Sequence, residues 1–363
     1  MSKIRVVMVA SSLSINGISS VIFNYAEELN MDEFDLVIVA GTPIANKYQE
    51  IADKIGATII ELPSRKRNSF RFYTRLYKIL KSNQYDIFHI HGNSSSMAVE
   101  LLIAKLSGIK IRIAHSHNTK CDFKAHKLLL PIFRCLYTEA FACGQRAGEW
   151  LFGKRPFYVM RNGFDVEKFR FSIIDREQVR SSLNISEKFV IGHIGRINYQ
   201  KNQDYLLDIF EIAAKKRRDL VLVMIGSGPD EEKIRERVSR SKFKDRIILY
   251  GETNTPEKMY MAMDMMVFPS RYEGLPVTLI EAQISGLPCL VSSSITDEVF
   301  FTDEIRSLSI EESPEIWADK VMEATFHESR YEDYLKYNED INKYNIKNCV
   351  IDLEDEYRSL CYE

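Results

Sequence analysis

Short apolar runs alternate with helical patterns along this chain, and the alternation restarts once near the middle. In the first half the strand candidates are Ile4–Ala10, Leu36–Ala40, Ala57–Leu62, Asp86–His91, Ile109–His115 and Ala140–Cys143. Most are nearly continuous apolar runs, as a parallel sheet covered by helices on both faces requires. Between them, Ser19–Leu29, Arg71–Lys81 and Met97–Leu106 carry helical patterns. The second half repeats the scheme. Phe189–Ile194, Leu220–Ile225, Arg246–Tyr250, Met265–Phe268 and Pro288–Ser292 read as strands, and Asp204–Lys216, Asp230–Arg240 and Pro276–Ser285 as helices. Pro276 suits a first helical turn and Gly286 a C-terminal cap. Two α/β units in series predict a two-domain protein whose ligands bind at the carboxyl ends of the strands, in a cleft between the domains. The expected ranges are 1–168 and 169–340, with 341–363 a C-terminal helix packing back on the first domain. The charged stretch Glu167–Lys188 has no strand character and is expected to be the linker.

A length of 363 residues suits two ordinary domains. Apolar residues at 45% and charged residues at 28% indicate a globular chain rather than a disordered one. The best candidate for a membrane span, 128–143, is interrupted by Arg134 and Glu139. Met1-Ser2-Lys3-Ile4-Arg5 runs straight into a strand pattern without a signal-peptide core, so a cytoplasmic location is expected. The cysteines Cys121, Cys135, Cys143, Cys289, Cys349 and Cys361 form no CxxC and no zinc-type spacing with histidine, and are expected as free thiols.

The net charge of −2 hides a split. Residues 1–165 hold 22 Lys/Arg and 14 Asp/Glu, whereas residues 166–363 hold 27 and 37. The basic half is expected to face an anionic surface or substrate. Its densest stretch carries Arg65, Lys66, Arg67, Arg71, Arg75, Lys78 and Lys81, with no acid between Glu61 and Asp86 and with Phe70, Phe72, Tyr73, Leu76 and Tyr77 interleaved. A helix over 65–81 suits peripheral contact with an anionic membrane, although a packed helix with a solvated basic face is commoner. No nucleic-acid-binding motif is present.

The most specific motif is Glu273-Gly274-Leu275-Pro276-Val277-Thr278-Leu279-Ile280-Glu281. It follows an apolar strand and spans the start of a helix, so free amides near Gly274 and Leu275 form an anion site suited to a diphosphate. Carboxylates beside that site can accept hydrogen bonds from sugar or ribose hydroxyls. Two incidental acids on a surface helix would not call for Glu-Gly-Leu-Pro after a buried strand.

These residues resemble the E-x7-E motif of the family-4 retaining glycosyltransferases, and the resemblance extends over nearly the whole chain. It implies the GT-B fold, two Rossmann-like doubly wound domains facing each other across a cleft. It also implies that Glu273 contacts the donor sugar, Glu281 the ribose hydroxyls, and the Gly274 and Leu275 amides the phosphates. Gly192-His193-Ile194-Gly195-Arg196, followed by Lys201-Asn202, places two cations at a strand end, where they could neutralise a diphosphate. The resemblance assigns that role to Arg196 and Lys201, beside Gly195. Gly226-Ser227-Gly228 ends the next strand, where glycine lets the backbone turn sharply, and by resemblance it lies near the base. A third glycine, needed for a dinucleotide fingerprint, is missing, which disfavours a dehydrogenase.

In the first domain, Ser14-Ile15-Asn16-Gly17 follows the first strand; similar proteins usually have two glycines here, and this chain keeps only Gly17. His89/His91 and His115/His117 each share a strand face. The resemblance places a donor-contacting histidine after the fifth strand, and both His115 and His117 remain candidates for it. No acid or cysteine completes a metal set around them. Asn162-Gly163-Phe164-Asp165 reads as a structural turn. Gly148 to Lys154 has the spacing of a phosphate loop, but Arg155 follows and the segment precedes a strand, so it receives no function.

Together these features imply a retaining enzyme (EC 2.4 class) that moves a sugar from a nucleoside-diphosphate sugar, with uridine the expected base, to a hydroxyl of a glycan or polyprenyl-linked acceptor. The implied setting is capsule, exopolysaccharide or other cell-envelope synthesis, with no metal cofactor. The competing readings are a same-fold sugar-nucleotide epimerase, a phosphorylase, or a non-catalytic partner subunit.

Overall fold

The computed structural model describes every residue except 1–2, 15–16, 66, 120, 122–123, 326–329 and 363. The chain divides into two compact units, Met1–Asp165 with Lys343–Glu363, and Val166–Asn342.

The first unit is built on β1 (Ile4–Ala10), β2 (Phe34–Gly41), β3 (Thr58–Leu62), β4 (Ile87–Gly92), β5 (Ile111–Ser116), β6 (Glu139–Ala142) and β7 (Tyr158–Val159). They form one parallel sheet in the order β3-β2-β1-β4-β5-β6-β7. The winding reverses between β1 and β4, which makes the carboxyl ends of those strands the switch point. Val6, Val7, Met8 and Val9 are all within 1% of full burial, so helices cover β1 on both faces.

The last helix, Ile346–Tyr362, belongs to this unit and puts Ile346, Cys349, Val350, Leu353 and Tyr357 into its core. Burying side chains such as Leu353 contributes about 1.5–3 kcal/mol each. Polar ties fix the register: Phe164 N donates to Tyr344 O at 2.7 Å, Ile346 N to Phe164 O at 2.8 Å, and Asn30 N to Glu354 Oε1 at 2.8 Å. The Asn162 to Asp165 turn is therefore where the returning chain docks.

The second unit contains β8 (Phe189–Ile194), β9 (Leu220–Ile225), β10 (Ile247–Gly251), β11 (Met265–Phe268), β12 (Cys289–Ser292) and β13 (Ile305–Leu308). The order is β10-β9-β8-β11-β12-β13, again all parallel, with the switch point between β8 and β11.

Four sequence expectations need correction. The first unit ends at 165 rather than 168, and the returning segment starts at 343 rather than 341. Strands β7 and β13 were not expected. The supposed linker Glu167–Lys188 is instead part of the second unit, folded into helices Val166–Phe169 and Ile173–Ser182. Two of its charges are not solvated: Arg176 and Arg180 are buried and both bind Asp264, Arg180 Nη1 at 3.1 Å from Oδ2. Buried guanidinium groups of this kind persist because a carboxylate and carbonyls satisfy them. The reading of 128–143 needs no correction: the stretch is broken after the helix His126–Phe133, and among the described residues no helix is long and apolar enough to cross a membrane. All six cysteines are free.

Candidate functional site

In the second unit, the loops that leave β8 and β11 are laced together at the switch point. Lys201 Nζ lies 2.8 Å from Glu273 Oε1, and Gln200 Nε2 donates to Glu273 Oε2 at 3.0 Å and to Tyr272 O at 3.0 Å. Arg271 N donates to Gln200 O at 2.8 Å, and Asn202 Nδ2 to Pro269 O at 3.2 Å. Asn202 itself takes a left-handed conformation (φ 59°), which asparagine tolerates better than most residues and which turns the chain into the helix Gln203–Lys216. The Lys201 ammonium also sits 4.4 Å from the centre of the Phe268 ring. Both charged side chains are largely buried, at 14% and 7% exposure, so the pair is screened little by solvent.

Arg196, five residues earlier on the same loop, is different. It is exposed, and its guanidinium has no hydrogen-bond or ion-pair partner among the described residues. The loop thus presents one free cation and one lysine with donor capacity beyond its carboxylate partner.

The glycines around this loop have a steric cause. Gly226 has φ +129°, and a Cβ there would fall 2.2 Å from Gly195 O. A Cβ on Gly228 would fall 2.1 Å from Ile197 O. Gly195 N donates to Ile225 O at 3.0 Å and Ile197 N to Ser227 O at 2.9 Å, so the β9 loop clamps the backbone that carries Arg196. His193 beneath is buried and neutral, pushed down to about 4 by desolvation. Its Nδ1 faces Val267 O at 3.0 Å and its Nε2 faces Gln203 Nε2 at 3.3 Å, which fixes the proton on Nδ1.

Glu273 leads into the helix Val277–Ile284, which begins at Pro276 without a side-chain cap. Leu279 N and Ile280 N already donate to Pro276 O, at 3.0 and 3.4 Å, so the amides that a helix start leaves for an anion are those before them, beside buried Gly274 and partly buried Leu275. Glu281 lies inside that helix and is held separately from Glu273. Tyr260 Oη, fully buried, donates to Glu281 Oε2 at 2.6 Å. Desolvation pushes the Glu281 carboxyl up to about 7, against the lowering effect of the Tyr260 bond.

In the first unit the four strand histidines form a two-by-two array. β4 and β5 run in register with His91 opposite His115. His89 stacks on His91 (ring centres 4.3 Å apart, planes 17° apart) and His115 on His117 (4.0 Å, 28°). Tyr357 from the last helix bonds His89 Nδ1 at 2.7 Å; His89 Nε2 meets His115 Nδ1 at 3.2 Å, and His91 Nδ1 meets His117 Nε2 at 3.0 Å. Burial pushes all four well below the ordinary histidine value, His89 and His117 to about 3, so the array is neutral. Nitrogens of His89, His91 and His115 lie within 4.8 Å of one another. Hydrogen bonds occupy both ring nitrogens of His89, while His91 Nε2 and His115 Nε2 are buried without a hydrogen-bond partner among the described residues.

Of the two candidates His115 and His117, His115 is 0% exposed inside β5, while His117 follows the strand end and is partly exposed. Gly17 starts the helix Gly17–Glu28 beyond β1 and is exposed; Asn16 lies outside the described residues. Lys201, Glu273, Gly195, Gly226 and Gly228 thus gather at one switch point, Glu281 is anchored on the neighbouring helix, and Gly17, His115 and His117 belong to the first unit. Gln200, Tyr260 and Tyr357 were not expected. Nothing in the sequence around them distinguishes a polar neighbour of Lys201 or a buried tyrosine from filler.

Comparison with known proteins gives the chain's family and fold. Residues 15–168 match the model "Glycosyltransferase Family 4", and residues 175–347 the model "Glycosyl transferases group 1". EpsF of Bacillus subtilis (strain 168) is 29% identical over 341 residues, covering 89% of this chain and 88% of that protein. The UDP-Gal:alpha-D-GlcNAc-diphosphoundecaprenol alpha-1,3-galactosyltransferase of Escherichia coli is 25% identical over 333 residues, covering 85% and 84%. Among solved structures, Anabaena HepE in complex with UDP and glucose aligns with a TM-score of 0.82 over 98% of this chain and 100% of that one; at 13% identity the likeness is one of fold.

Proposed function

This chain belongs to the glycosyltransferases of Family 4 and group 1, with the GT-B fold, and from that premise we propose that it is a retaining enzyme using a UDP-sugar. The second unit holds the donor and the first the acceptor, a hydroxyl of a glycan or polyprenyl-linked saccharide in cell-envelope synthesis. In the transfer, the bond from the anomeric carbon to the β-phosphate oxygen breaks, the acceptor oxygen bonds to that carbon on the same face, and the acceptor proton leaves on the phosphate. Charge growing on the departing diphosphate is met by Arg196, Lys201 and the amides at Gly274 and Leu275. With that load on protein groups, no metal is needed. Glu273 faces the sugar and Glu281 the ribose diol.

The observation that carries this reading is the Lys201–Glu273 pair at the β8/β11 switch point, with unpartnered Arg196 beside it. A uridine donor is supported by what two of the compared proteins are named with, UDP-Gal in the E. coli enzyme and UDP in HepE. A thermal-shift panel of nucleotides and nucleotide sugars tests it: UDP and one UDP-sugar raise the melting temperature, and transfer then yields a product whose anomeric proton signal matches the donor's configuration. A shift with another nucleotide only, or an inverted product, overturns the corresponding part.

The same reading places the enzyme at the cytoplasmic face of an anionic membrane through the helix Ser69–Ser82. Phe72, Leu76 and Leu80 are spent on the core and Arg65 on Glu100, so the contact falls to exposed Arg71, Arg75, Lys78 and Lys81 and to Phe70, which is 82% exposed. Lys66 lies outside the described residues.

A further inference from the structure

Glu281 carries an asymmetry between its two oxygens. Oε2 accepts the Tyr260 hydroxyl at 2.6 Å, whereas Oε1 has no partner among the described residues. The same hydroxyl lies 3.2 Å from Thr278 O, one turn earlier on the helix that carries Glu281. A phenol has one proton, so it can serve only one of these acceptors at a time. We propose that Tyr260 is a positioning residue of the nucleotide site, holding the Glu281 carboxylate by Oε2 so that Oε1 is presented to the paired hydroxyls of a ribose. The proposal rests on the reading of Glu281 given above and goes beyond it in naming what aims that carboxylate.

The geometry supports the assignment from several sides. Tyr260 is rigid: its ring is fully buried on the helix Pro256–Ala262, and its backbone carbonyl accepts from Arg330 Nη2 at 3.1 Å. Phe169 packs 6.0 Å away, ring centre to ring centre. The hydroxyl therefore arrives at a fixed point, and the flexible partner, a glutamate with three rotatable bonds, is the one that is set. The second acceptor gives the pair two states. When Glu281 is ionised, Tyr260 donates to it. When Glu281 is protonated, the carboxyl donates to the phenol oxygen, and the phenol turns its own proton to Thr278 O.

The groups around Glu281 favour a working range near neutrality. Tyr260 and Glu257 come from the helix Pro256–Ala262, Glu257 repelling the carboxylate. Cys289 on β12 acts on Tyr260. The short helix Val166–Phe169 brings Glu167, which is occupied by Tyr334 Oη at 2.9 Å, and Lys168. Burial pushes Glu281 up to about 7, so removing the Tyr260 bond, which lowers it, moves the carboxyl further up.

The test is calorimetric titration of the full chain with UDP and with 2′,3′-dideoxy-UDP at pH 6 to 8.5, for wild type, Tyr260→Phe, Glu281→Ala and the double variant. Tyr260→Phe should weaken UDP about tenfold at pH 8 and raise the midpoint of its pH profile, with the loss falling on KM for the donor and not on kcat. It should add nothing to the loss already caused by Glu281→Ala, and it should leave dideoxy-UDP binding unchanged. Equal losses from Tyr260→Phe with and without Glu281, or a wild-type midpoint in Tyr260→Phe, would overturn the proposal while leaving the ribose role of Glu281 intact. Unchanged UDP affinity in Glu281→Ala would overturn the ribose role itself. Should Tyr260→Phe not fold, wild type decides alone: below about pH 7 UDP affinity must fall more steeply than dideoxy-UDP affinity, whose diphosphate titrates alike, and two parallel profiles would refute it.

Discussion

Lys201 Nζ stands 2.8 Å from Glu273 Oε1, and the two residues come from loops after different strands, 72 positions apart in the chain. The pair ties β8 to β11 at the switch point and sets the local charge. Glu273 partly offsets Lys201, and Arg196 adds a second cation for a diphosphate.

Lys201→Ala should therefore do two things. It takes the ammonium partner from a largely buried carboxylate that Gln200 also serves, which should destabilise the second unit by about 1–3 kcal/mol. It should also lower kcat/KM by roughly 10²–10³-fold through lost stabilisation of the leaving group. Denaturant unfolding and initial rates on the same sample separate the two.

Arg196→Ala should lower kcat by roughly 10–100-fold and leave the melting temperature unchanged, because the exposed guanidinium has no hydrogen-bond or ion-pair partner among the described residues. A drop in melting temperature comparable to that of Lys201→Ala would place Arg196 in the structure rather than in the chemistry.

Gly226→Ala forces a side chain into φ +129° with a Cβ 2.2 Å from Gly195 O. The expected loss is more than about 2 kcal/mol, read as a lower denaturant midpoint at constant slope. Since the displaced carbonyl belongs to the residue before Arg196, nucleotide affinity should fall with it.

The histidine array predicts acid sensitivity. His89 and His117 are held down to about 3 and His193 to about 4, with His91 and His115 also depressed, against about 6.5 in an unfolded chain. For a histidine with a depressed folded value, the stabilisation is fully present above pH 6.5. As the pH falls below that, the unfolded chain takes up the proton first. Each group then removes up to about 1.4 kcal/mol per pH unit until its folded value is reached. Glu281, raised to about 7, works the other way, but it is one group against five. Melting temperature should fall steeply from pH 6.5 to 5, and His89→Gln with His91→Gln should flatten that slope.

Reversing Arg71, Arg75 and Lys78 to glutamate should abolish sedimentation with anionic vesicles at low salt and leave folding intact, since each basic residue contributes about 1 kcal/mol at such a surface. Wild-type binding that ignores salt would contradict an electrostatic contact.

How much was legible follows from burial. Phe189–Ile194, Leu220–Ile225 and Met265–Phe268 match β8, β9 and β11 to the residue, because fully buried parallel strands are apolar without interruption. β13 (Ile305–Leu308) escaped because an edge strand reading Ile-Arg-Ser-Leu leaves its middle residues exposed. Glu167–Lys188 misled because charge normally signals solvent; here the partner that buries Arg176 and Arg180 is Asp264, more than 80 residues away. The site divides in the same way. Lys201 and Glu273 could be read from local motifs, while Gln200 and Tyr260 act through tertiary contacts that local sequence does not encode.

The central claim is that the β8 and β11 loops grip a nucleoside diphosphate by its phosphates. Calorimetric titration of wild type, Arg196→Ala and Lys201→Ala with UDP and with uridine tests it most directly. The account predicts that UDP binds wild type far more tightly than uridine does, and that each variant loses at least about tenfold for UDP with little change for uridine. Equal affinity for UDP and uridine, or UDP binding indifferent to both substitutions, would contradict it.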